Sequence, residues 1–240
     1  MAFRIEKTVT LGLMIWLAAA AQEPLRYQVR HDHWRKYCTG ELEVTGASIS
    51  YRQTSGKKQE HNWTWDYRNV QQLLVSPKTI RVLSYSDNGW KLGADREYEF
   101  RLVDGDTSHA YAMLKDALDE RFVAAFPDEA VQPLWELPAK LLGLIHGAEG
   151  VLKVGVDRII FDTGKREQSR TWRMADLENI STSGPFQLTL TTYERDKKHY
   201  GNLKGFNFQL KQRLTEDRYN QLWRRLNRTK GLPVLTMPVE

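Results

Sequence analysis

The chain has 240 residues, of which 41% are hydrophobic and 11% aromatic, so it can build a packed core and is not expected to be disordered. Its formal net charge of +5 is modest, and its single cysteine, Cys38, excludes an internal disulfide bond. Stability must therefore come from hydrophobic packing.

The first 21 residues have the pattern of a secretory leader. Arg4 and Lys7 precede an apolar run from Leu11 to Ala21, and the alanines before Gln22 are the small residues that a signal peptidase requires. The run is shorter than the roughly 20 residues that span a bilayer, which argues against the alternative of an uncleaved membrane anchor. We expect residues 1–21 to be a signal peptide and the mature protein to be soluble, and secreted or periplasmic.

Residues 40–102 consist of short runs in which apolar and polar side chains alternate. The runs are ELEV, SISYRQ, HNWTWDY, VQQLLVS, TIRVLSY and EYEFRLV, and turn residues separate them. Alternation with this punctuation is typical of antiparallel strands. The preceding segment, residues 22–39, can supply one further strand.

The hydrophobic period becomes helical after the last of these strands. One face of this predicted helix carries Tyr111, Leu114, Leu118 and Phe122. Asp106 or Thr107 can cap its start, and Pro127 follows its end. A second predicted helix carries Tyr219, Leu222, Trp223 and Leu226. Thr215 can cap it, and Gly231 marks its end.

The second half of the chain repeats the first. At a spacing of 110 residues the pairs are Gly40 with Gly150, Leu42 with Leu152, Val44 with Val154, Ile49 with Ile159 and Tyr51 with Phe161. The spacing becomes 107 at the pair Trp65 and Trp172, and 108 at the pair Phe100 and Phe208. Both changes fall in turns, as expected of a duplicated domain.

The repeat predicts the domain organisation. We expect a signal peptide at 1–21, a first domain at 22–126, a linker at 127–137, a second domain at 138–232 and a tail at 233–240. The apolar linker indicates that the two domains touch. The core predicted for the first domain consists of Leu42, Val44, Ile49, Tyr51, Trp65, Val70, Leu73, Phe100, Leu102, Leu114 and Leu118.

Strands followed by one amphipathic helix suggest a partly open barrel with a plugged mouth, and here the motifs resemble a known family. GELEVTGASISY, WDYRNVQQL and YEFRL are similar to the GRAM branch of the pleckstrin-homology-like (PH-like) superfold. The resemblance implies a mainly β fold with α, as two tandem PH-like barrels, each of six or seven antiparallel strands plus a C-terminal helix. The chain also resembles uncharacterised secreted bacterial proteins. The resemblance indicates almost nothing about function.

Few residues indicate catalysis or a metal site. The chain has no G-x-S-x-G, H-E-x-x-H, P-loop or dinucleotide motif, so we expect no enzyme activity and no cofactor. His31 and His33 would share one face of a strand near Cys38, a set of ligands that would suit zinc. A structural zinc site usually has a fourth ligand, and the alternative is a polar strand with Cys38 packed in the core. We therefore predict no metal, with His31 and His33 as weak candidates.

Charge separates the two halves. Residues 22–137 carry 15 basic and 18 acidic side chains, whereas residues 138–232 carry 18 basic and 10 acidic ones. Some basic residues of the second half cluster in predicted hairpins: Lys165, Arg166, Arg170, Arg195, Lys197 and Lys198. In lipid-binding PH-like domains, basic hairpin residues hold anionic headgroups, so these six are a hypothetical anion-binding set. The alternative is a solvated charged face.

Together these features favour a non-enzymatic extracytoplasmic binding or scaffolding protein with an unknown protein partner. The alternative is binding of an anionic membrane surface or polymer through the basic second domain. The secretion signal argues against nucleic acid.

Overall fold

The computed structural model describes most of the chain from residue 23 onward. The described residues are 23–33, 37–55, 61–89, 94–143, 146–165, 168–196, 202–228 and 230. The predicted leader at 1–21, the predicted tail at 233–240, and Arg166, Lys197 and Lys198 lie outside them. Within these ranges, no helix is long and apolar enough to cross a membrane.

Strands dominate both halves, so the chain is mainly β with α. The first unit contains β1 (Leu25–Asp32), β2 (Tyr37–Val44), β3 (Ser48–Gln53), β4 (Asn62–Asp66), β5 (Val70–Ser76), β6 (Thr79–Asp87), β7 (Asp95–Leu102) and the helix α1 (Ser108–Leu114). A short strand, β8 (Phe122–Ala124), follows. The second unit contains β9 (Trp135–Leu141), β10 (Ala148–Val154), β11 (Arg158–Asp162), β12 (Arg170–Arg173), β13 (Leu177–Ser181), β14 (Gln187–Arg195), β15 (Leu203–Leu210) and the helix α2 (Glu216–Arg228).

The two units have the same strand order. It is β5-β6-β7-β1-β2-β3-β4 in the first unit and β13-β14-β15-β9-β10-β11-β12 in the second. In each, the first strand pairs with both the second and the last, and a 3-10 turn joins the fourth strand to the fifth (Tyr67–Asn69 and Met174–Asp176). Residues 22–39 and 127–149 therefore each supply the first strand, and β9 begins inside the segment predicted as a linker.

The strand β8 joins the units. It pairs in parallel with β5 through Leu73 and Phe122, and antiparallel with β12 through Ala124 and Thr171. All strands thus belong to one 15-stranded open sheet, with β13 and β4 at its ends. The expectation of two tandem barrels is therefore confirmed only in part, because the structure shows one continuous open sheet and not two distinct closed barrels. β5 and β12 would otherwise be open edges, and β8 covers part of each.

A glycine stands at the same place in β2 and in β10. A side chain on Gly40 would clash with the carbonyl oxygen of Arg52, and one on Gly150 with that of Asp162. Both carbonyls belong to the neighbouring strand of the same hairpin. The repeated glycine is therefore required by the close approach of two strands in each unit.

Each unit encloses its own hydrophobic core. The predicted first core is confirmed: all its residues are buried except Leu118, which is partly buried against the others. The second core contains the matching residues, among them Leu152, Phe161, Trp172 and Phe208.

The two helices differ in length. The helix α2 follows its prediction, because the Thr215 hydroxyl accepts from the Arg218 amide and Leu222 and Leu226 are fully buried. The first helix was expected to run on to Phe122 and instead ends at Leu114. The carbonyls beyond it are taken by the Arg173 guanidinium, which leaves Phe122 free to pair in β8.

We expect Leu114→Ala to lower the free energy of unfolding by roughly 2–5 kcal/mol, because Leu114 is 1% exposed and its loss leaves a cavity in the first core. Urea unfolding measures the change. Leu142→Ala, at a position that is 48% exposed, is the matched control and should shift stability by less than about 0.5 kcal/mol. Equal effects of the two changes would mean that α1 does not plug the core.

Candidate functional site

The structure describes three of the six predicted anion-binding residues, and these three do not form one cluster. Lys165 lies in the hairpin between β11 and β12, and its ammonium group donates to the Gly147 carbonyl. Arg170 begins β12 and donates to the Ser169 carbonyl. Arg195 lies at the end of β14 and pairs with Asp95 of the first unit at 2.9 Å. Arg195 thus contributes to the contact between the units.

Lys165 lines a shallow cavity of about 490 Å³ between the β9–β10 and β11–β12 hairpins. Lys140, His146 and Glu149 line it as well. The hydrogen bond from Lys211 lowers the pKa of Glu149, and the nearby charges of Lys140 and Lys165 act in the same direction. The cavity therefore carries several cationic groups around one ionised carboxylate. We call it the lysine cavity.

A second basic surface lies on α2. Arg224, Arg225 and Arg228 line a groove of about 660 Å³ with neutral and acidic residues of the same helix. Arg225 also donates to the Val156 carbonyl at 3.3 Å. These arginines are not among the six predicted anion-binding residues, although their helical spacing in the basic half of the sequence could have indicated them.

In the first unit, the hairpins equivalent to those around the lysine cavity carry histidine and cysteine side chains instead. His33 follows β1, Cys38 lies in β2, and His61 precedes β4. The Cys38 sulfur lies 3.3 Å from His33 Nε2 and 3.7 Å from His61 Nδ1. All three potential ligand atoms lie within 4.8 Å of one another. We call this group the His–Cys cluster.

Two neighbours hold the cluster in place. The Tyr51 hydroxyl lies 3.1 Å from the Cys38 sulfur, where either group can donate, and burial raises the pKa of Tyr51. The His61 ring stacks on Trp63, with ring centroids 4.9 Å apart. Cys38 is itself buried, with 6% exposure.

His31 is next to the cluster but has a separate partner. Its ring lies 4.8 Å from that of His33, while its Nδ1 lies 2.9 Å from the Glu99 carbonyl oxygen and is placed to donate to it. Burial lowers the pKa of His31, which favours the neutral ring. Of the two histidines named from the sequence, the structure places only His33 within reach of Cys38.

Sequence reasoning missed His61, which is 23 residues from Cys38. The predicted β3–β4 hairpin could have indicated it. Once β3 and β4 are recognised as a hairpin, His61 comes opposite Gln53, whose amide donates to the His61 carbonyl at 3.1 Å. This register brings His61 to the same end of the sheet as His33.

Buried polar contacts fasten the units to each other around Asp128. The Asp128 carboxylate accepts from the Tyr111 hydroxyl at 2.9 Å and from Arg158 at 3.1 Å. Its own amide donates to Thr171 of β12. Arg158 also pairs with the exposed Asp116 at 2.6 Å. Side chains from both units therefore meet at one buried carboxylate.

The surroundings of Asp128 keep it ionised. Burial opposes ionisation, and hydrogen bonds from the Tyr111 hydroxyl and from the Ala130 amide favour it. Together with the charges of Lys115 and Arg158, they hold the pKa of Asp128 below its ordinary value. The interface thus depends on a carboxylate that is charged at neutral pH.

Comparisons with known proteins add little. No protein-family model matches the chain, and no curated protein matches it by sequence. Among solved structures, a chain from the structure of the Spt16D Pob3N heterodimer is similar at 10% identity with a TM-score of 0.31. The match covers 79% of this chain and 98% of that chain. At so low a TM-score, the strand order must carry any argument about the fold.

We expect Asp128→Asn to lower the free energy of unfolding at pH 7 by roughly 3–5 kcal/mol, because it leaves Arg158 without its buried partner. The lowered pKa means that the Asp128 contribution is present above the ordinary aspartate pKa and is lost as pH falls through the folded-state value. The variant should therefore lose less stability than the natural protein between pH 7 and pH 3.

Urea unfolding at both pH values measures this difference. Asp116→Asn is the matched control, since it changes the exposed partner of the same arginine, and it should cost less than about 1 kcal/mol. If the two variants behave alike, the buried carboxylate is not what joins the units.

Proposed function

We propose that this protein is a non-enzymatic binding or scaffolding protein that works outside the cytoplasm and consists of two PH-like units. The same order of seven strands in both units, each followed by a helix, supports the PH-like assignment that the motifs imply. The pattern of residues 1–21 supports the extracytoplasmic location.

One observation carries the proposal: the units are fastened at a fixed orientation. The shared strand β8 and the buried Asp128 contact both cross the boundary between them. Arg173 adds hydrogen bonds to the carbonyls of Lys115 and Asp119 in the first half. A joint of this kind keeps the two units at constant spacing, which suits a protein that holds a partner at two points.

The two ends of the sheet are the edges available to such a partner. Among the described strands, β4 pairs only with β3, and β13 only with β14. An open edge can accept an extended segment of another protein through backbone hydrogen bonds. We therefore assign protein binding to β4 and β13.

A photo-crosslinking residue at Thr64 of β4 or at Asn179 of β13 tests this assignment. Both positions are exposed on end strands. In the native host, we expect each to give a discrete crosslinked protein, identified by mass spectrometry. The control is Arg101, exposed on β7 between two strands, which should give none. Products that are equal at all three positions, or absent from all of them, would contradict binding through the edges.

The lysine cavity supports a second candidate function, which is binding of an anionic lipid or polymer by the second unit. Lys140 and Lys165 reach it from two neighbouring hairpins at one end of the sheet. Two hairpins that converge on one cavity could surround a phosphate or carboxylate group from both sides. This candidate keeps Lys165 of the predicted set and replaces Arg195 with Lys140.

Vesicle sedimentation tests the second candidate with two matched double charge reversals. We expect the full chain to bind vesicles of phosphatidylcholine with anionic phosphatidylglycerol at low salt, and less as exposed charges are screened. Lys140→Glu with Lys165→Glu should weaken binding at least tenfold, whereas Arg224→Glu with Arg228→Glu on α2 should weaken it little. Equal weakening would indicate a diffuse charge effect, and binding to neutral vesicles alone would exclude an anion site.

A further inference from the structure

We propose that His33, Cys38 and His61 form a binding site for one transition-metal ion of the zinc class. This goes beyond the proposed binding or scaffolding function and does not depend on it. One thiolate and two imidazoles are ligands that Zn²⁺ prefers in proteins, whereas Ca²⁺ and Mg²⁺ prefer oxygen.

The distances fit a tetrahedral ion. With Zn–S of about 2.3 Å and Zn–N of about 2.0 Å, sulfur and nitrogen ligands of a tetrahedral zinc lie about 3.5 Å apart. The Cys38 sulfur lies 3.3 Å from His33 Nε2 and 3.7 Å from His61 Nδ1. Two edges of the tetrahedron are thus already formed. The third, between the two imidazoles, lies within 4.8 Å, compared with about 3.3 Å in a tetrahedral zinc site, so binding an ion requires the two rings to move closer together.

The fold brings the three ligands from separate strands to one end of the sheet. Cys38 lies opposite His31 in the β1–β2 ladder, and His33 follows His31 by two residues, just beyond the end of β1. Tyr51 of β3 lies opposite Trp63 of β4, next to His61. Cys38 lies within a paired strand, the Gln53 amide donates to the His61 carbonyl, and His33 directly follows β1, so the fold holds the ligands near one another.

Tyr51 supports the sulfur ligand from behind. Its hydroxyl lies 3.1 Å from the Cys38 sulfur, so it can donate a hydrogen bond to a metal-bound thiolate. Partners of this kind orient a ligand and commonly contribute 10–100-fold to metal affinity. The ring of Tyr51 is 1% exposed and therefore fixed.

The opposite side of the site is open. His33 and His61 line a cavity of about 400 Å³, together with Glu97 and Tyr98 of β7. Three protein ligands and an open fourth position would let a bound ion take water or a ligand group of a partner. Arg96 also lines this cavity, and Glu97 pairs with Arg81 at 3.9 Å.

The second unit lacks this set of ligands, which makes it an internal comparison. Positions 33 and 38 of the first unit correspond to Gly143 and Ala148, and position 61 corresponds to Gln168. Phe161 stands where the first unit has Tyr51, without a hydroxyl. Both the ligands and their support are thus found at one of two otherwise equivalent sites.

The test uses the full chain without an affinity tag, reduced and freed of metal with a chelator. We expect one Zn²⁺ per chain in competition with a chromophoric chelator. We also expect one Co²⁺ with a near-ultraviolet thiolate absorption band. His33→Gln, His61→Gln and Cys38→Ser should each weaken Zn²⁺ binding at least about 100-fold, since losing a ligand costs more than losing its support. Cys38→Ser should also remove the Co²⁺ band.

Two further variants complete the design. His146→Gln, in the equivalent hairpin of the second unit, is the matched control and should bind Zn²⁺ like the natural protein. Tyr51→Phe should weaken binding by about tenfold or more and retain the Co²⁺ thiolate band. Should Cys38→Ser fail to fold, Zn²⁺ binding by His33→Gln and His61→Gln still tests the proposal. No stoichiometric Zn²⁺ binding by the natural chain, or binding that His33→Gln and His61→Gln leave unchanged, would overturn the proposal.

Discussion

The pairing of β8 with two strands at once is the interaction on which the arrangement of this protein depends. Each unit on its own would have two open edges, β4 and β5 in the first and β12 and β13 in the second. The three residues Phe122–Ala124 pair with β5, and Ala124 also pairs with Thr171 of β12. The joint is formed from backbone hydrogen bonds, and the Asp128 contact, with Thr171 of β12, lies directly beside it. The two edges that remain lie at opposite ends of the sheet.

Duplication has placed different chemistry on equivalent positions. The hairpins that carry the His–Cys cluster in the first unit are equivalent to those that form the lysine cavity in the second unit. The backbone is similar at both ends, as the clash that any side chain at Gly40 or Gly150 would cause demonstrates. Loop side chains therefore set what each end can bind, while paired strands hold the loops. The His–Cys cluster and the lysine cavity thus offer different binding groups at equivalent positions of the two units.

Local patterns predicted what local forces determine. Alternation located the strands, the repeat located Gly150 and the second core, and the predicted first core is buried in the structure. Contacts distant in the sequence were not accessible in this way. The helical pattern continued through Leu118, yet Arg173 from the other unit takes the carbonyls that end the helix. His61 was missed because only the pairing of β3 with β4 brings it to Cys38.

Part of the charge difference between the two units is used in ion pairs between them, and part is available to an external ligand. The acidic surplus of the first half and the basic surplus of the second suggested an anion-binding face. Arg158 and Arg195 of the second unit, however, pair with Asp128 and Asp95 across the boundary. Part of the asymmetry is therefore complementarity between the units. The basic side chains that can still face an external ligand include Lys140 and Lys165 of the lysine cavity, whose described lining residues all belong to the second unit.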